Sequence, residues 1–407
     1  MFEPSLKIKF AGVEFENPFV LAAAPPTDEL EMVRRGLQAG WAGAVLKTTS
    51  VEPTVVSLAY PMMSAMDLPG DRVAALGNID LISAHHIDVI EKRVKILKQE
   101  FPDKVIIASI MGSEKEEWQT LVRRLEAAGV DMIECSFSCP QGSMGEQAGA
   151  MLAQNVAATQ KVTAWVKEAA RRVPVVIKIT PQVTDIVAVA QAVKNGGADA
   201  ICAANSIPGL TGVDIYSFVP FPDVGGFSTY SGITGPAIKP MTLRTIAEIK
   251  RHVPIEITGT GGPVTWRDAI EFMAVGAGNV QFATAVMLYG YGIIDDLRDG
   301  MMRYLRDMGF SSPMEIIGRA LPRIVDHDAL PRMYDLRSGV QDDLCIGCGD
   351  CITACRDGGH MAIDWQDGQR LPMVSDDCVG CHLCVDVCPV NALSLKPTKG
   401  RDLMDNH

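Results

Sequence analysis

The chain reads as an α/β protein: a (β/α)8 TIM barrel followed by a small C-terminal domain built on two cysteine runs. Three observations carry this reading. Short apolar runs alternate with amphipathic stretches along most of the 407 residues, polar or glycine residues follow several of the runs, and eight of the eleven cysteines fall into two matching groups near the C-terminus.

A chain of this length holds two or more domains, one of them large enough to bury a sizeable core. Its 47% hydrophobic and 21% charged residues suit a folded soluble protein. No apolar run reaches the roughly 18 residues of a membrane helix, and Met1 to Phe10 lacks the apolar core of a signal peptide. A cytoplasmic location without a membrane partner is therefore expected. The net charge of -12 argues against a nucleic-acid partner. Cys135, Cys139 and Cys202 lie outside the two cysteine groups, and a reducing compartment suits such free thiols.

Leu6, Ile8 and Phe10 alternate with polar neighbours before Gly12, Val13 and Phe15, a small hairpin signal. Strands are then expected at 19–24, 44–49, 105–111, 131–138, 175–180, 200–205, 255–259 and 280–284, with helices between them at 29–39, 118–128, 184–194, 238–252 and 266–275. Eight buried-type strands alternating with helices match a barrel. A doubly wound sheet is the alternative, and what lies at the strand ends favours the barrel. The expected organisation is a barrel over 1–310, a helical linker over 311–340 interrupted by Pro313, Pro322 and Pro331, a cysteine module over 341–397, and a polar tail over 398–407. His85, His86 and Asp88 read as solvated groups on a helix, since adjacent helical residues do not face each other. Met62, Met63 and Met66 read as loop residues packing near the barrel mouth.

Chemistry in a barrel belongs at the carboxyl ends of its strands. The seventh run ends in Thr258-Gly259-Thr260-Gly261-Gly262 and the eighth in Ala283-Thr284, backbone N–H groups and a hydroxyl of the kind that hold a phosphate. Lys47-Thr48 ends the second run, and Lys178 lies in the fifth. A lysine buried in an apolar strand needs an anionic partner. That partner is either a structural carboxylate or, beside a phosphate site, a flavin whose reduced ring carries negative charge, with Lys178 the choice for that contact. The fourth run leads through Ser136, Ser138 and Cys139 into a glycine-bearing loop over 143–151, which reads as a lid. Cys139 is a candidate proton donor or acceptor, against the plainer reading of a small buried thiol. Cys135 and Cys202 are left to the core. Asn205 and Ser206 end the sixth run and suit a polar ring or, more plainly, a turn cap.

Cys345, Cys348, Cys351 and Cys355 are spaced C-x-x-C-x-x-C-x-x-x-C, and Cys378, Cys381, Cys384 and Cys388 repeat the pattern with Pro389 following. This is the ligand spacing of a bacterial ferredoxin with two 4Fe-4S clusters, where the fourth Cys of each run ligates the other cluster. Cys345, Cys348 and Cys351 should thus group with Cys388, and Cys378, Cys381 and Cys384 with Cys355. Two structural zinc sites are the alternative, but those usually draw their ligands as separated pairs. Arg356 stands where the first run would usually carry proline, which shapes the turn and binds no iron.

Taken together these blocks resemble the dihydroorotate dehydrogenase-like FMN barrels, and more closely the bacterial NAD-dependent dihydropyrimidine dehydrogenase subunits that add a C-terminal two-cluster ferredoxin domain. The resemblance runs through Asn17-Pro18-Phe19, Ala108 to Gly112, Asp131 to Pro140, Gly196 to Asp199, Gly232 to Pro240, Gly261-Gly262, both cysteine runs and Asp357 to His360. It implies FMN held by Ala22, Ala23, Lys47, Thr48, Lys178, Gly235, Thr260, Gly261, Gly262, Ala283 and Thr284. It also implies Cys139 as proton donor to one carbon of a ring C=C bond while FMN N5 delivers hydride to the next. Substrate contacts are expected from Ser136, Ser138, Asn205 and Ser206. A partner subunit carrying FAD and a nicotinamide site, or a free ferredoxin, would supply electrons, in a hetero- or homo-oligomer, because the chain shows no dinucleotide fingerprint of its own.

Two positions depart from the family. Ser136 and Glu114 stand where it places asparagines that clasp uracil or thymine, and an ionised carboxylate cannot donate as an amide does. The expected function is reversible reduction of the C=C bond of a pyrimidine base to its 5,6-dihydro form, with electrons relayed through the clusters. The same machinery acting on another cyclic unsaturated compound is the alternative. A third reading is an electron-transfer subunit without its own small-molecule substrate.

Overall fold

Eight apolar runs do become eight parallel strands, and they close into a barrel. In chain order these are β1 Phe19–Leu21, β2 Gly43–Thr49, β3 Val105–Ile110, β4 Met132–Ser136, β5 Val175–Lys178, β6 Ala200–Ala203, β7 Glu256–Thr260 and β8 Asn279–Phe282. The computed structural model describes residues 3–51, 62–67, 73–138, 151–331, 336–365 and 369–397. It divides into two units, Met1–Ile324 and Val325–His407.

Around the barrel run α1 Leu30–Ala39, α2 Ile87–Glu100, α3 Lys115–Ala128, α4 Val156–Ala169, α5 Ile186–Asn195, α6 Lys239–His252, α7 Trp266–Ala274, the short α8 Thr284–Tyr289 and α9 Ile293–Met308. Local chemistry sets their ends. Asn155, Asp185 and Thr265 cap α4, α5 and α7 by accepting from backbone N–H groups. Gly40 and Gly129 stop α1 and α3 in the left-handed conformation. Outward side chains of the strands bury themselves under the helices in the main apolar core. The N-terminal hairpin of Ile8–Phe10 and Val13–Phe15 contributes Ile8, Phe10 and Phe15 to a second cluster with Val20, Val45, Ile107, Met132 and Val176. That cluster closes the amino-terminal end of the barrel, so its open end is the carboxyl one.

Several strand ends fall short of the apolar runs. The ladder stops at Leu21, Ser136, Ala203 and Phe282, and Ala22, Ser138, Ala204 and Ala283 beyond these ends line the barrel mouth. Two excursions, after β2 and β6, meet there in a four-stranded antiparallel sheet ordered Ile207–Gly209, Ser231–Thr234, Ala75–Asn78 and Met63–Met66. Met63 and Met66, expected in a loop, are therefore strand residues. His85 and His86 precede α2: His86 is its N-cap, accepting from Asp88 N, and His85 Nε2 lies 2.6 Å from Glu29 Oε1.

The helical connection expected over 311–340 is not one element. Single 3-10 turns at Pro313–Ile316, Leu321–Arg323 and His327–Ala329 occupy its first part, and the first two carry a proline at their start, which allows a turn to begin but not to propagate. Leu336–Val340 is a strand, paired antiparallel with Leu393–Pro397. The second unit adds α10 Asp350–Gly358, α11 Leu383–Asp386 and a two-residue pairing of Ile363–Asp364 with Met373–Val374.

Candidate functional site

The open end of the barrel holds a cavity of about 940 Å³, within the range of cofactor and ligand pockets. Of the eleven residues expected to hold FMN, ten line it: Ala22, Ala23, Lys47, Thr48, Lys178, Thr260, Gly261, Gly262, Ala283 and Thr284. Gly235 does not line it but stands behind, its carbonyl 2.9 Å from where a Cβ on Gly262 would lie. Ser136, Ser138, Asn205 and Ser206 open on the same cavity. Cys139 and the loop expected as a lid lie, up to residue 150, outside the described residues. Cys135 and Cys202 are fully buried, as expected of core thiols, and burial pushes both thiols well above their ordinary pKa.

The lining fits a phosphate-bearing flavin on two observations. Gly261 and Gly262 have φ of +112° and +99°, and a Cβ would come within 2.6 Å of Thr242 Oγ1 at the first and 2.8 Å of Lys239 N at the second. Only glycine keeps bare backbone at that end. The two lysines lie at the floor of the cavity, each with less than a tenth of its side chain exposed. Lys47 is held by Asp80 at 2.6 Å and by Asp28 at 3.5 Å, and Asp28 in turn accepts from Ser83 Oγ at 2.5 Å. Lys178 faces Glu134 at 3.6 Å. Burial pulls the Lys178 amine down, but the Glu134 charge, with Cys202 beside it, more than offsets this and leaves its pKa raised.

Asp80, Asp28, Glu134 and Asn78 were not assigned roles from sequence. The signal was available in part: two buried lysines require carboxylates, yet nothing in their spacing says which ones. Asp80 Oδ1 is buried without a hydrogen-bond partner among the described residues, and Asp80 lines the cavity, as does Asn78. Asn205 Nδ2 donates to Ser138 Oγ at 2.6 Å, and its Oδ1 accepts from Ser206 N at 2.8 Å. Thr48 and Ser109 share a hydroxyl hydrogen bond of 2.8 Å. Glu114, expected opposite the substrate, is instead the exposed N-cap residue of α3 and does not line the cavity. Its place in the chain is one helical start removed from the mouth.

In the second unit, Cys345, Cys348, Cys351 and Cys388 line one small cavity, and Cys355, Cys378, Cys381 and Cys384 line another. The grouping crosses between the runs. Backbone N–H groups of Ala362, Ala392 and Ser338 donate to the sulfurs of Cys355, Cys388 and Cys378 at 3.3, 3.2 and 3.5 Å. Burial and the neighbouring Cys348 and Cys384 thiols push the pKa of Cys351 up to about 11. Four sulfurs per cavity with N–H donors around them suit an iron–sulfur cluster.

Fold and site define the class: a (β/α)8 oxidoreductase barrel joined to an iron–sulfur domain. Residues 5–305 match the family described as dihydroorotate dehydrogenase, and residues 338–395 match the 4Fe-4S dicluster domain. The chain belongs to the dihydroorotate dehydrogenase family, whose members bind flavin. It is 37% identical over 98% of its length, and 97% of the relative's, to the NAD-dependent dihydropyrimidine dehydrogenase subunit PreA of Escherichia coli K12. It is 32% identical to the chloroplastic dihydropyrimidine dehydrogenase (NADP(+)) of Arabidopsis thaliana, over 81% of this chain and 80% of that one. To the catalytic subunit of dihydroorotate dehydrogenase B from Thermococcus kodakarensis it is 35% identical, over 78% of this chain and 98% of that one. Among the described residues no helix is long and apolar enough to cross a membrane.

Proposed function

We propose that this chain reversibly reduces the C=C bond of a pyrimidine base such as uracil or thymine to the 5,6-dihydro form, using FMN in the barrel and two 4Fe-4S clusters in the second unit. The observation that carries the reading is one cavity joining the glycine turn of Gly261 and Gly262 with Lys178 and with the polar set of Asn78, Asp80, Ser136, Ser138, Asn205 and Ser206. Bound FMN would supply the hydride. The chain's residues do the rest. Gly261, Gly262, Ala283 and Thr284 present N–H groups to the phosphate, and Lys178 balances negative charge on the ring. Asp80 offers an acceptor oxygen to a ring N–H, while the Asn78 amide can serve a ring carbonyl. Cys139, next in the chain after Ser138, gives its thiol proton to the carbon beside the one that takes hydride. Clusters ligated by Cys345, Cys348, Cys351 and Cys388 and by Cys378, Cys381, Cys384 and Cys355 would pass electrons singly from an FAD- and NAD(P)H-binding partner subunit or a ferredoxin.

A second substrate reading keeps a specific observation. Ser136 lines the cavity with a hydroxyl where the family has an amide, so a ring needing fewer donors would be accepted. Mixing the anaerobically reduced protein with uracil, thymine and other cyclic enones or lactams, and following flavin reoxidation, separates the readings. Fast reoxidation by uracil or thymine supports the pyrimidine assignment. Reoxidation by neither, with another ring reacting, moves the assignment to that ring. Cys139→Ala should keep flavin and cluster absorbance and lose at least about 100-fold in turnover; full turnover in that variant would exclude Cys139 as the donor.

A further inference from the structure

At the cavity floor the barrel interior carries a polar layer. Glu134 on β4, Cys202 on β6 and Gln281 on β8 are all buried there. Glu134 Oε2 accepts from Gln281 Nε2 at 2.8 Å, and Gln281 Oε1 accepts from the Cys202 thiol at 3.8 Å. The other carboxylate oxygen, Oε1, makes no hydrogen bond among the described residues and sits 3.6 Å from Lys178 Nζ. Lys178 thus has Glu134 on the interior side and the cavity on the other.

We propose that Glu134 is a positioning residue that fixes the charge and the aim of Lys178, and through it the proton stoichiometry of flavin reduction. This rests on the reading that the cavity holds FMN. At 3.6 Å the carboxylate is beyond ordinary hydrogen-bond range, so it acts mainly by charge on a lysine that lines the cavity. Among the described residues the titratable groups acting on Lys178 are Glu134 and Cys202, and Lys47 opens on the same cavity behind its own two carboxylates. Without Glu134 a lysine this buried favours its neutral form while the flavin is oxidised, and regains its proton when the reduced ring brings negative charge. Reduction would then take up one proton more than it does in the native protein.

The test is an anaerobic spectroelectrochemical titration of the full holoprotein from about pH 6 to 9, following flavin absorbance. The native protein should show one proton per two electrons with no break across that range. In Glu134→Gln the slope of the midpoint potential against pH should about double over part of the range, because a second proton is coupled to the same electrons. Glu134→Asp should restore the native slope. The double variant Glu134→Gln with Lys178→Met, which has no amine to titrate, should return to the one-proton slope. A Glu134→Gln protein that binds flavin and keeps both slope and potential overturns the proposal. So does a break in the native slope, which decides the matter even if Glu134→Gln fails to fold. Failure of the native protein to bind flavin at all would instead remove the FMN reading, a distinguishable result.

Discussion

Residues that line the barrel cavity come from positions as distant as Ala22 and Thr284, whereas all eight candidate cluster ligands lie between Cys345 and Cys388. The barrel rests on a continuous core in which Trp41, Trp118, Phe19, Phe137 and Phe282 are fully buried. In the cysteine unit the buried cluster is Cys351, Cys355, Ala362, Ile363, Cys384 and Leu393, half of it thiols. A unit of that size with so small an apolar interior cannot offset its chain entropy by burial alone. The barrel is therefore expected to stand without its cofactor, and the smaller unit to need its metal centres to hold its fold.

The largest expected effect follows directly. Stripping iron with a chelator, or replacing Cys351 by Ala, should abolish amide protection across residues 336–397 while leaving α1 to α9 protected, as read by hydrogen exchange. Protection in the cysteine unit that survives iron removal would break the contrast. Next in size is the floor of the barrel cavity. Lys47→Met leaves Asp28 and Asp80 facing each other without their cation, and should cost about 3–5 kcal/mol in denaturant unfolding of the barrel. Adding Asp80→Asn should recover part of that loss, since the two changes share one contact.

Gly262→Ala forces a side chain into a φ of +99° and against Lys239 N, at about 1–3 kcal/mol. Its sharper signature should be at least about tenfold weaker FMN binding, measured by flavin titration of the apoprotein, because the turn can no longer lie flat against a phosphate. The smallest effect belongs to a helix start. Asp268 accepts from Thr265 N and Val264 N and pairs with Lys239 at 2.6 Å. Burial raises its pKa, but Lys239 and these N–H bonds outweigh that and leave it lowered. A lowered carboxyl contributes stability that is present above the ordinary aspartate range and is lost as pH falls through the folded-state value. Asp268→Asn should cost about 1 kcal/mol at neutral pH and flatten the acid limb of the stability profile, followed by thermal unfolding from neutral pH to about pH 3.

Much of this was legible in the chain. The eight barrel strands follow from apolar runs of the right length, because burial on both faces leaves a compositional trace within each strand. The cysteine spacing is a local ruler, so the grouping of Cys388 with the first run and Cys355 with the second could be stated before any fold was known. Glycines and lysines at the strand ends marked the cavity because each is costly where it stands unless the site needs it. Other features were not legible. Met63 and Met66 looked like loop residues because they follow Pro61 in a short run without a clear period; they pair with the nearby Ala75–Asn78, and that strand is held in turn by Ser231–Thr234 from more than a hundred residues away, a partner that periodicity within a segment does not report. Glu114 was expected opposite the substrate because it stands where the family has an asparagine, yet it is the exposed N-cap residue of α3. The linker's prolines did forecast interruption, but not that Leu336–Val340 would find Leu393–Pro397.

The sequence by itself thus determined the elements and the inventory of chemistry: which strands form, which cysteines can share a cluster, and that two lysines must meet negative charge. Only the tertiary structure decided the pairings. Closing the barrel set Glu134 beneath Lys178, and the excursion and the β1 loop brought Asp80 and Asp28 to Lys47. Propensity and spacing act over a few residues, whereas the free energy of a buried charge depends on what the closed fold places a few ångströms away.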